Sequence, residues 1–256
     1  MDFDTLSSRL IETTKNDFVN GSITIAKNTI RGIIEILEIA YPSDTKKLFS
    51  LISELKRAKP AMSALQNVLN RTEPLLTSGD RWSMIFQLNM LLDSLEKSTQ
   101  DTINVAIEHI TLNLTPPYRI TTASLSSTFI KFVTELNQIE STEVFCLESK
   151  WAERDYSVLL TEKLAQLGVD AKILPLSSIN SIANSSFAMI GTDCVCPEGV
   201  VNGAPSRILA IHCKTTNLPL FVLAESIKYS NKCTPDSGFD FIDSSLISKI
   251  FSDKIF

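Results

Sequence analysis

The stretch TPPYRITT, Thr115–Thr122, marks the point at which the spacing of apolar residues changes. Beyond Pro116 and Pro117, short apolar runs typical of β-strands alternate with amphipathic segments at a spacing of roughly 25 residues. Parallel strands cannot be joined by a hairpin, so this alternation predicts a parallel sheet with crossover helices. We therefore expect an α/β domain over residues 116–256.

Individual segments of this second half carry the two patterns. Helices are expected near residues 128–137, 155–167 and 207–216, and strands at YRITT, EVFCL, DAKILP, FAMIG and LPLFVLA. Ligands of parallel sheets bind at the carboxyl ends of the strands. Four polar segments follow strands there, and we expect them to converge on one crevice: TTASLSS, ESKWAERD, GTDCVCPEG and AESIKYS.

Upstream of the change, from Leu6 to about Leu114, apolar residues recur at spacings of three and four. This spacing is typical of helices that bury one face. The clearest example is SITIAKNTIRGIIEILEIAY, which begins at Ser22, a candidate N-cap, and is ended by Pro42. The sequence therefore predicts a helical N-terminal domain over residues 1–115.

The composition is that of a globular protein with a sizeable core. Of its 256 residues, 44% are hydrophobic and 21% are charged, and no apolar run is long enough to span a bilayer. The N-terminal MDFDTLSSRL is acidic and polar, unlike a signal peptide, so we expect a cytoplasmic protein that does not enter membranes. A net charge of −5 with scattered Lys and Arg argues against nucleic-acid binding.

The cysteines are odd in number and have no framework spacing, which is typical of reduced thiols, so no disulfide is expected. A zinc site from Cys194, Cys196, His212 and Cys213 is the less favoured interpretation. The His-Cys pair would lie within a helix, with its side chains about 100° apart. We expect buried thiols, and neither a metal nor a cofactor. The five cysteines are Cys146, Cys194, Cys196, Cys213 and Cys233.

Asp193 is the one candidate site residue that the pattern itself indicates. It follows an apolar strand after a Gly-Thr step, at the edge where a parallel sheet binds ligands. An Asx turn or a contact with a helix dipole would explain it equally well. The chain contains neither G-x-G-x-x-G nor a P-loop, and His109 and His212 have no serine-centred motif around them. A dinucleotide site and a hydrolytic triad are therefore not predicted.

The chain also resembles a known family. FAMIGTDCVCPEGVVNGAPSRILAIHCKTTNLPLFVLAESIKYS is similar to the initiation-factor-2B family segment that reads G-A-D-x-V, a Gly, an Asn, a Gly-Thr, a helix and P-F-x-V-x-A-E-S-x-K. VFCLESKWAERD, RITTASLSSTFIKFV and GFDFIDSSLISKIFSD resemble three further motifs of that family. NDFVNGSITIAKNTI and AKPAMSAL resemble its weaker N-terminal motifs. The likeness is collinear and covers most of the chain.

The resemblance implies one fold, a helical domain followed by a Rossmann-like domain, with two kinds of function. One kind of member isomerises ribose-1,5-bisphosphate or methylthioribose-1-phosphate, with a Cys and an Asp for proton transfer. The other kind comprises the regulatory α, β and δ subunits of translation initiation factor 2B. Asp193 matches the catalytic Asp, but Ser124 occupies the position of the catalytic Cys. A Ser hydroxyl is far less acidic than a thiol, whose reference pKa is about 8.5, so Ser124 is a poor proton shuttle.

The residues that would bind a phosphate also differ from the isomerase pattern. Asn20 and Lys59 replace arginines, Lys150 replaces the Arg of E-S-R-P, and Gly203 replaces a lysine. Lysine does not reproduce the bidentate phosphate contact of arginine. The ligand-binding residues that the resemblance implies are Asn20, Gly21, Lys59, Ser126, Glu148, Lys150, Asn202 and Lys228.

The resemblance favours an initiation-factor-2B-like regulatory protein that acts through dimerisation and protein contacts, with a vestigial sugar-phosphate or nucleotide site. The expected partners are a second copy, in a homodimer or higher even oligomer, and initiation factor 2 subunits. The alternative is a ribose-1,5-bisphosphate isomerase with reassigned proton chemistry, and a small-ligand sensor outside translation stays open. The apolar segment FIDSSLISKIF is expected to contribute to the dimer surface, because a lone α/β domain would leave it partly exposed.

Overall fold

The computed structural model of the protein describes residues 1–77 and 80–254. The chain divides into two compact units, Met1–Lys97 and Ser98–Phe256. This division falls inside a single long helix, α5, whereas the predicted domain boundary after residue 115 lies just past the end of that helix. Within the described ranges, no helix is both long and apolar enough to cross a membrane.

The first unit is helical, as its apolar spacing predicts. Helix α1 packs against α2 and α3, and α4 packs against the same two helices. The apolar stripe of α2 is buried, including Ile23, Ile30 and Leu37. Ser22 is the first residue of α2 rather than its N-cap, which is Gly21. The helices are α1 (Phe3–Asn16), α2 (Ser22–Ile39), α3 (Lys46–Ala58), α4 (Ser63–Leu75) and α5 (Arg81–Asn113), whose last part belongs to the second unit.

The second unit is an α/β domain. Its elements, in chain order, are β1 (Tyr118–Thr122), α6 (Ser127–Ile139), β2 (Thr142–Leu147), β3 (Lys150–Trp151), β4 (Arg154–Asp155), α7 (Tyr156–Gln166), β5 (Asp170–Leu174), β6 (Phe187–Ile190), β7 (Cys194–Cys196), β8 (Gly199–Gly203), α8 (Ser206–Thr216), β9 (Leu220–Leu223), β10 (Phe239–Asp243) and β11 (Lys249–Phe251). A 3-10 helix, Leu176–Asn184, precedes β6, and another, Ser226–Lys228, follows β9.

The predicted parallel sheet is confirmed. Six strands pair in parallel in the order β11-β9-β6-β1-β2-β5. Alternate residues of a strand point to opposite faces, and β6 shows it: Phe187 and Met189 join one buried cluster, and Ala188 and Ile190 join another. Both faces of the sheet are therefore covered by helices, which explains why β6 and β9 are wholly apolar.

A second, antiparallel sheet was not predicted. It has the order β10-β8-β7, with Asn202 opposite Asp240 in the register of β8 and β10. A further two-stranded hairpin joins β3 and β4. These short strands lie beside the carboxyl edge of the parallel sheet and carry several of the candidate site residues.

The prediction of five reduced cysteines is wrong. Cys194 and Cys233 form a disulfide, with their Cα atoms 5.8 Å apart, while Cys146, Cys196 and Cys213 are free and buried. The two partners are 39 residues apart in sequence, so their spacing gives no sign of the pairing. The disulfide also removes Cys194 from the candidate zinc ligands.

The apolar segment near the C-terminus is partly buried and partly exposed. Ile242 and Phe251 are buried in the second unit, and Leu246, Ile247 and Ile250 pack against one of its core clusters while partly exposed. The domain's own core therefore takes up most of this segment. Its partly exposed residues leave the contribution to a dimer surface as a prediction.

Candidate functional site

The loop after β1 lies against the segments that follow β6 and β8. A Cβ atom on Gly191 would overlap the Ser126 hydroxyl, and one on Gly203 would overlap the Ser124 hydroxyl. Ser126 is the N-cap of α6, and its Oγ accepts a hydrogen bond of 3.2 Å from the backbone N–H of Phe129. Ser124 has a φ of 70°, a left-handed conformation that is uncommon for residues other than glycine. The backbone thus fixes both serines at the edge of the sheet.

The segments after β2 and β9 join the same edge. The Ser149 hydroxyl donates a hydrogen bond of 2.6 Å to the carbonyl oxygen of Ala204, just after β8. The Thr128 hydroxyl, in the first turn of α6, donates one of 2.7 Å to Oε1 of Glu225, just after β9. The four polar segments that follow the strands therefore meet, as the parallel topology predicts.

Asp193 lies between β6 and β7 and is half-buried. Its backbone N–H donates a hydrogen bond of 2.8 Å to the carbonyl oxygen of Val201. The neighbouring Thr192 hydroxyl lies 2.7 Å from the same carbonyl oxygen. These contacts tie the connection between β6 and β7 to β8, so the position of Asp193 is fixed by its backbone.

Asn202 is a buried residue of β8 near Asp193 in the fold. Its Nδ2 donates a hydrogen bond of 2.8 Å to the Ser206 hydroxyl, which in turn donates one of 2.7 Å to the carbonyl oxygen of Gly203. The amide of Asn202 therefore stabilises the turn into α8, and its Nδ2 is occupied within the domain.

Lys228, a predicted ligand cation, is placed in the interior. Its ammonium lies 2.6 Å from Oε2 of Glu225, and the two side chains are 2% and 0% exposed. Oε1 of Glu225 accepts hydrogen bonds from Thr128, at 2.7 Å, and from Thr99, at 3.2 Å. Burial alone would raise the pKa of Glu225, but the Lys228 ammonium and the hydrogen bond from Thr128 more than offset it, and the pKa lies below its usual value. Lys228 therefore neutralises a buried carboxylate rather than facing a ligand.

Lys150 is exposed at the start of the β3–β4 hairpin. Its Nζ lies 3.1 Å from Oε1 of Glu148 and 3.5 Å from Oδ2 of Asp155. The hydrogen bond to Glu148 is the main cause of the raised pKa of Lys150. Glu148, itself a predicted ligand residue, thus competes with an anion for this ammonium.

Asn20, Gly21 and Lys59 belong to the first unit. Both the backbone N–H and Nδ2 of Asn20 donate hydrogen bonds to the carboxylate of Asp17, at 3.1 and 2.8 Å. Gly21 is the N-cap of α2, and Lys59 is the C-cap of α3. The Lys59 ammonium lies 4.3 Å from the centre of the Phe18 ring. The fold thus brings Lys59 to the loop that contains Asn20 and Gly21.

Comparison with protein families assigns the chain to one of them. The model of the initiation factor 2 subunit family matches residues 18–245, which include every candidate site residue named above. The chain belongs to this family.

Individual relatives agree with that assignment. The translation initiation factor eIF-2B subunit 2-like protein of Pyrococcus furiosus is 26% identical over 233 residues, which cover 88% of this chain and 80% of that protein. The crystal structure of translation initiation factor eIF-2B from Pyrococcus horikoshii OT3 has a TM-score of 0.79 at 18% identity, and 96% of this chain covers 94% of it. A chain of the tetrameric eIF2B-beta2-delta2 complex from C. thermophilum has a TM-score of 0.73 at 16% identity, with 98% and 90% covered. At these identities the structural likeness shows a shared fold.

Thiol chemistry at the candidate site would need an accessible thiol near Asp193. Of the five cysteines, two form the disulfide and three are buried. Burial raises the pKa of Cys146 and of Cys213 to about 12, so both are protonated at neutral pH. Cys194 and Cys233 form the disulfide, and Cys196 is buried in the apolar cluster around it. Ser124, which the resemblance matches to the catalytic Cys of the isomerases, carries a hydroxyl.

The contact between Ser124 and Gly203 gives a testable prediction. We expect Gly203→Ala to lower the free energy of unfolding by roughly 1–2 kcal/mol, because its methyl group would overlap the Ser124 side chain. Ser124→Gly removes that side chain and suits the φ of 70°, so the double variant should regain most of the loss. Urea denaturation of the four proteins measures the coupling. Strictly additive losses would show that the two residues do not touch.

Proposed function

We propose that this chain is a non-catalytic, regulatory member of the family that acts through self-association and protein contacts in the cytoplasm. The observation that carries this proposal is the hydroxyl of Ser124 where the isomerases have a thiol. Proton transfer between carbon and oxygen atoms of a sugar needs groups whose pKa values lie near the working pH. The carboxylate of Asp193 can accept a proton, but a serine hydroxyl without a dedicated base does not supply the second group.

The weak provision for a phosphate group supports the same proposal. Lys228 is paired with Glu225 in the interior, and Lys150 is flanked by two carboxylates. Gly203 offers no side chain where the resemblance implies a lysine. We therefore propose a vestigial site in which Lys150 and backbone amides hold a sugar phosphate or nucleotide weakly, since a helix start with free N–H groups attracts anions.

Self-association is the second part of the proposal. The C. thermophilum relative of the same fold is a tetramer of two beta and two delta subunits. A protein of this fold therefore assembles in even numbers, and a closed even assembly is the usual form of soluble oligomers. We propose that this chain forms a homodimer or a higher even oligomer, and that its further partners are initiation factor 2 subunits.

Light scattering tests the assembly. At micromolar concentration the full chain of 28.4 kDa is expected to have the mass of two or four copies. A mass of one copy at that concentration would contradict self-association. A pull-down from native lysate, probed for initiation factor 2 subunits, tests the further partners, and it should recover them only if this chain acts in translation initiation.

A further inference from the structure

We propose that the Cys194–Cys233 disulfide is a reversible thiol–disulfide exchange site: it clamps the segment Tyr229–Gly238 beside the polar edge of the sheet, and a dithiol reductant releases that segment. The proposal concerns the mobility of this segment, and it holds whether or not the edge of the sheet is catalytic.

The middle of the clamped segment is attached to the domain through Cys233. Residues 230–236 form neither helix nor strand. Within 231–237, all of which the structure describes, Cys233 is the one buried residue and the other six are exposed. At its start the segment is held by a hydrogen bond of 2.8 Å from the N–H of Ser230 to the carbonyl oxygen of Val195 in β7. Between that hydrogen bond and the contacts of Gly238 at the far end, Cys233 is the buried residue that ties the segment to the domain, through the disulfide and through its packing in the apolar cluster of β7 and β8.

The far end of the segment touches the candidate site. The carbonyl oxygen of Gly238 accepts a hydrogen bond of 2.9 Å from the N–H of Ala204. The Trp151 indole lies so close to Gly238 that its Nε1 would be 2.6 Å from a Cβ atom there. At the other end of the clamp, Cys194 directly follows Asp193 in sequence. Opening the disulfide therefore frees the middle of a segment that runs from β7, which directly follows Asp193, to the β3–β4 hairpin that contains Trp151.

The exchange balances with a dithiol as the co-reactant. Both cysteines are buried, but Cys233 as a whole residue is 8% exposed and Cys194 is 1% exposed, so one thiolate of the dithiol attacks Sγ of Cys233. A mixed disulfide forms at Cys233, and Cys194 leaves as a thiolate that takes up a proton. The second thiol of the reductant then attacks the mixed disulfide, which releases Cys233 as a thiol. The protein gains two electrons and two protons, and the dithiol becomes a cyclic disulfide.

The chain offers a matched control for this chemistry. Cys196 lies two residues from Cys194 in the same apolar cluster and, at 8%, has the same exposed fraction as Cys233, but it is a free thiol. Cys196→Ala therefore removes a cysteine of equal burial without touching the clamp. Cys233→Ala removes the clamp itself.

Limited digestion with trypsin measures the mobility of the clamped segment, because Lys232 is exposed and directly precedes Cys233. We expect the bond after Lys232 in the full chain to be cleaved roughly tenfold faster after reduction with dithiothreitol, since cleavage follows the open population of the segment. Cys233→Ala should be cleaved at the fast rate with and without reductant, and Cys196→Ala should behave as the wild type. In the oxidised protein the two fragments should stay joined through Cys194 and Cys233 on a non-reducing gel.

Two results would overturn the proposal. The first is a titration that finds five thiols, rather than three, in denatured protein that had been treated with oxidised glutathione. The second is a cleavage rate after Lys232 that reduction leaves unchanged. Fluorescence of Trp151 in a Trp82→Phe background gives a second readout, which should change on reduction in the wild type and in Cys196→Ala, but not in Cys233→Ala.

Discussion

Glu225→Gln is expected to lower the free energy of unfolding by roughly 3–5 kcal/mol, because it leaves the Lys228 ammonium charged and unpaired in the interior. The two side chains are 0% and 2% exposed, so water cannot replace the lost carboxylate. Removing one partner of a buried pair is costly, whereas replacing both with apolar groups is often nearly neutral. Urea denaturation with circular dichroism measures the loss.

Control variants distinguish the stabilisation due to the Glu225–Lys228 pair from the effect of changing either side chain alone. Lys228→Met should be about as harmful as Glu225→Gln, and the double variant Glu225→Leu with Lys228→Met should recover much of the loss. Lys172, paired with Glu143 on the surface, is the exposed counterpart. Lys172→Ala should cost less than about 1 kcal/mol. A double variant as unstable as the sum of the two singles would show that the residues do not act as a pair.

The pair also predicts a pH dependence. The folded-state pKa of Glu225 lies below its usual value. The stabilisation is therefore fully present above the unfolded pKa, about 4.3, and is lost as the pH falls through the lower folded-state pKa. The difference in stability between the wild type and Glu225→Gln should accordingly shrink below about pH 4. A difference that stays constant down to pH 2 would contradict this role of the carboxylate.

Gly199→Ala is expected to destabilise the protein by roughly 3 kcal/mol or more. A Cβ atom at Gly199, at the start of β8, would overlap the backbone carbonyl oxygen of Ile242 in β10. That oxygen belongs to the ladder between β8 and β10, so it cannot move aside as the end of a side chain can. The antiparallel sheet would have to separate at this point.

Gly168→Ala is the matched control for Gly199→Ala. Both glycines have a positive φ, 157° at Gly199 and 76° at Gly168, but a Cβ atom at Gly168 would have no atom within 4 Å. Its substitution should cost only the backbone strain, about 1 kcal/mol. Thermal unfolding of the two variants distinguishes the cost of the steric overlap at Gly199 from the cost of backbone strain alone. Equal losses would mean that the approach of β10 to Gly199 is not tight.

The parallel sheet could be predicted because its signals are local. Each strand and each crossover helix is indicated by the period of its own apolar residues. The parallel pairing follows from the alternation of strands with helices along the chain. The antiparallel sheet has no such signal, since β7 and β8 are short and β8 pairs with β10, whose position follows from the fold rather than from neighbouring residues. The disulfide was missed for the same reason, because Cys194 and Cys233 come together only once the chain has folded.

The meeting of the polar segments at one edge of the sheet could be predicted from the sequence, but the direction of their side chains could not. The edge at which Asp193 and Ser124 lie follows from strand topology. The sequence does not show that Lys228 points inward to Glu225 rather than outward to a ligand. Their i,i+3 spacing is the signal that was overlooked, because a 3-10 turn, here Ser226–Lys228, places such residues on one side.

Introducing a thiol at position 124 is not expected to be sufficient for isomerase activity. Ser124→Cys would supply a thiol at the same edge of the sheet as Asp193. The substrate must also be held within hydrogen-bond reach of both groups, and a misplacement of about 1 Å can cost about a hundredfold in rate. Lys228 and Asn202 would still be engaged within the domain. Gly203→Lys is a poor remedy, because any side chain at Gly203 overlaps residue 124.

An isomerase assay of the wild-type chain on ribose-1,5-bisphosphate and on methylthioribose-1-phosphate tests the central proposal most directly. Ser124→Cys, alone and with Asn20→Arg and Lys59→Arg, and Asp193→Asn complete the set. We predict no turnover by the wild type or by Ser124→Cys alone. Turnover by the wild type that disappears in Asp193→Asn would contradict the proposal that this family member is not an enzyme.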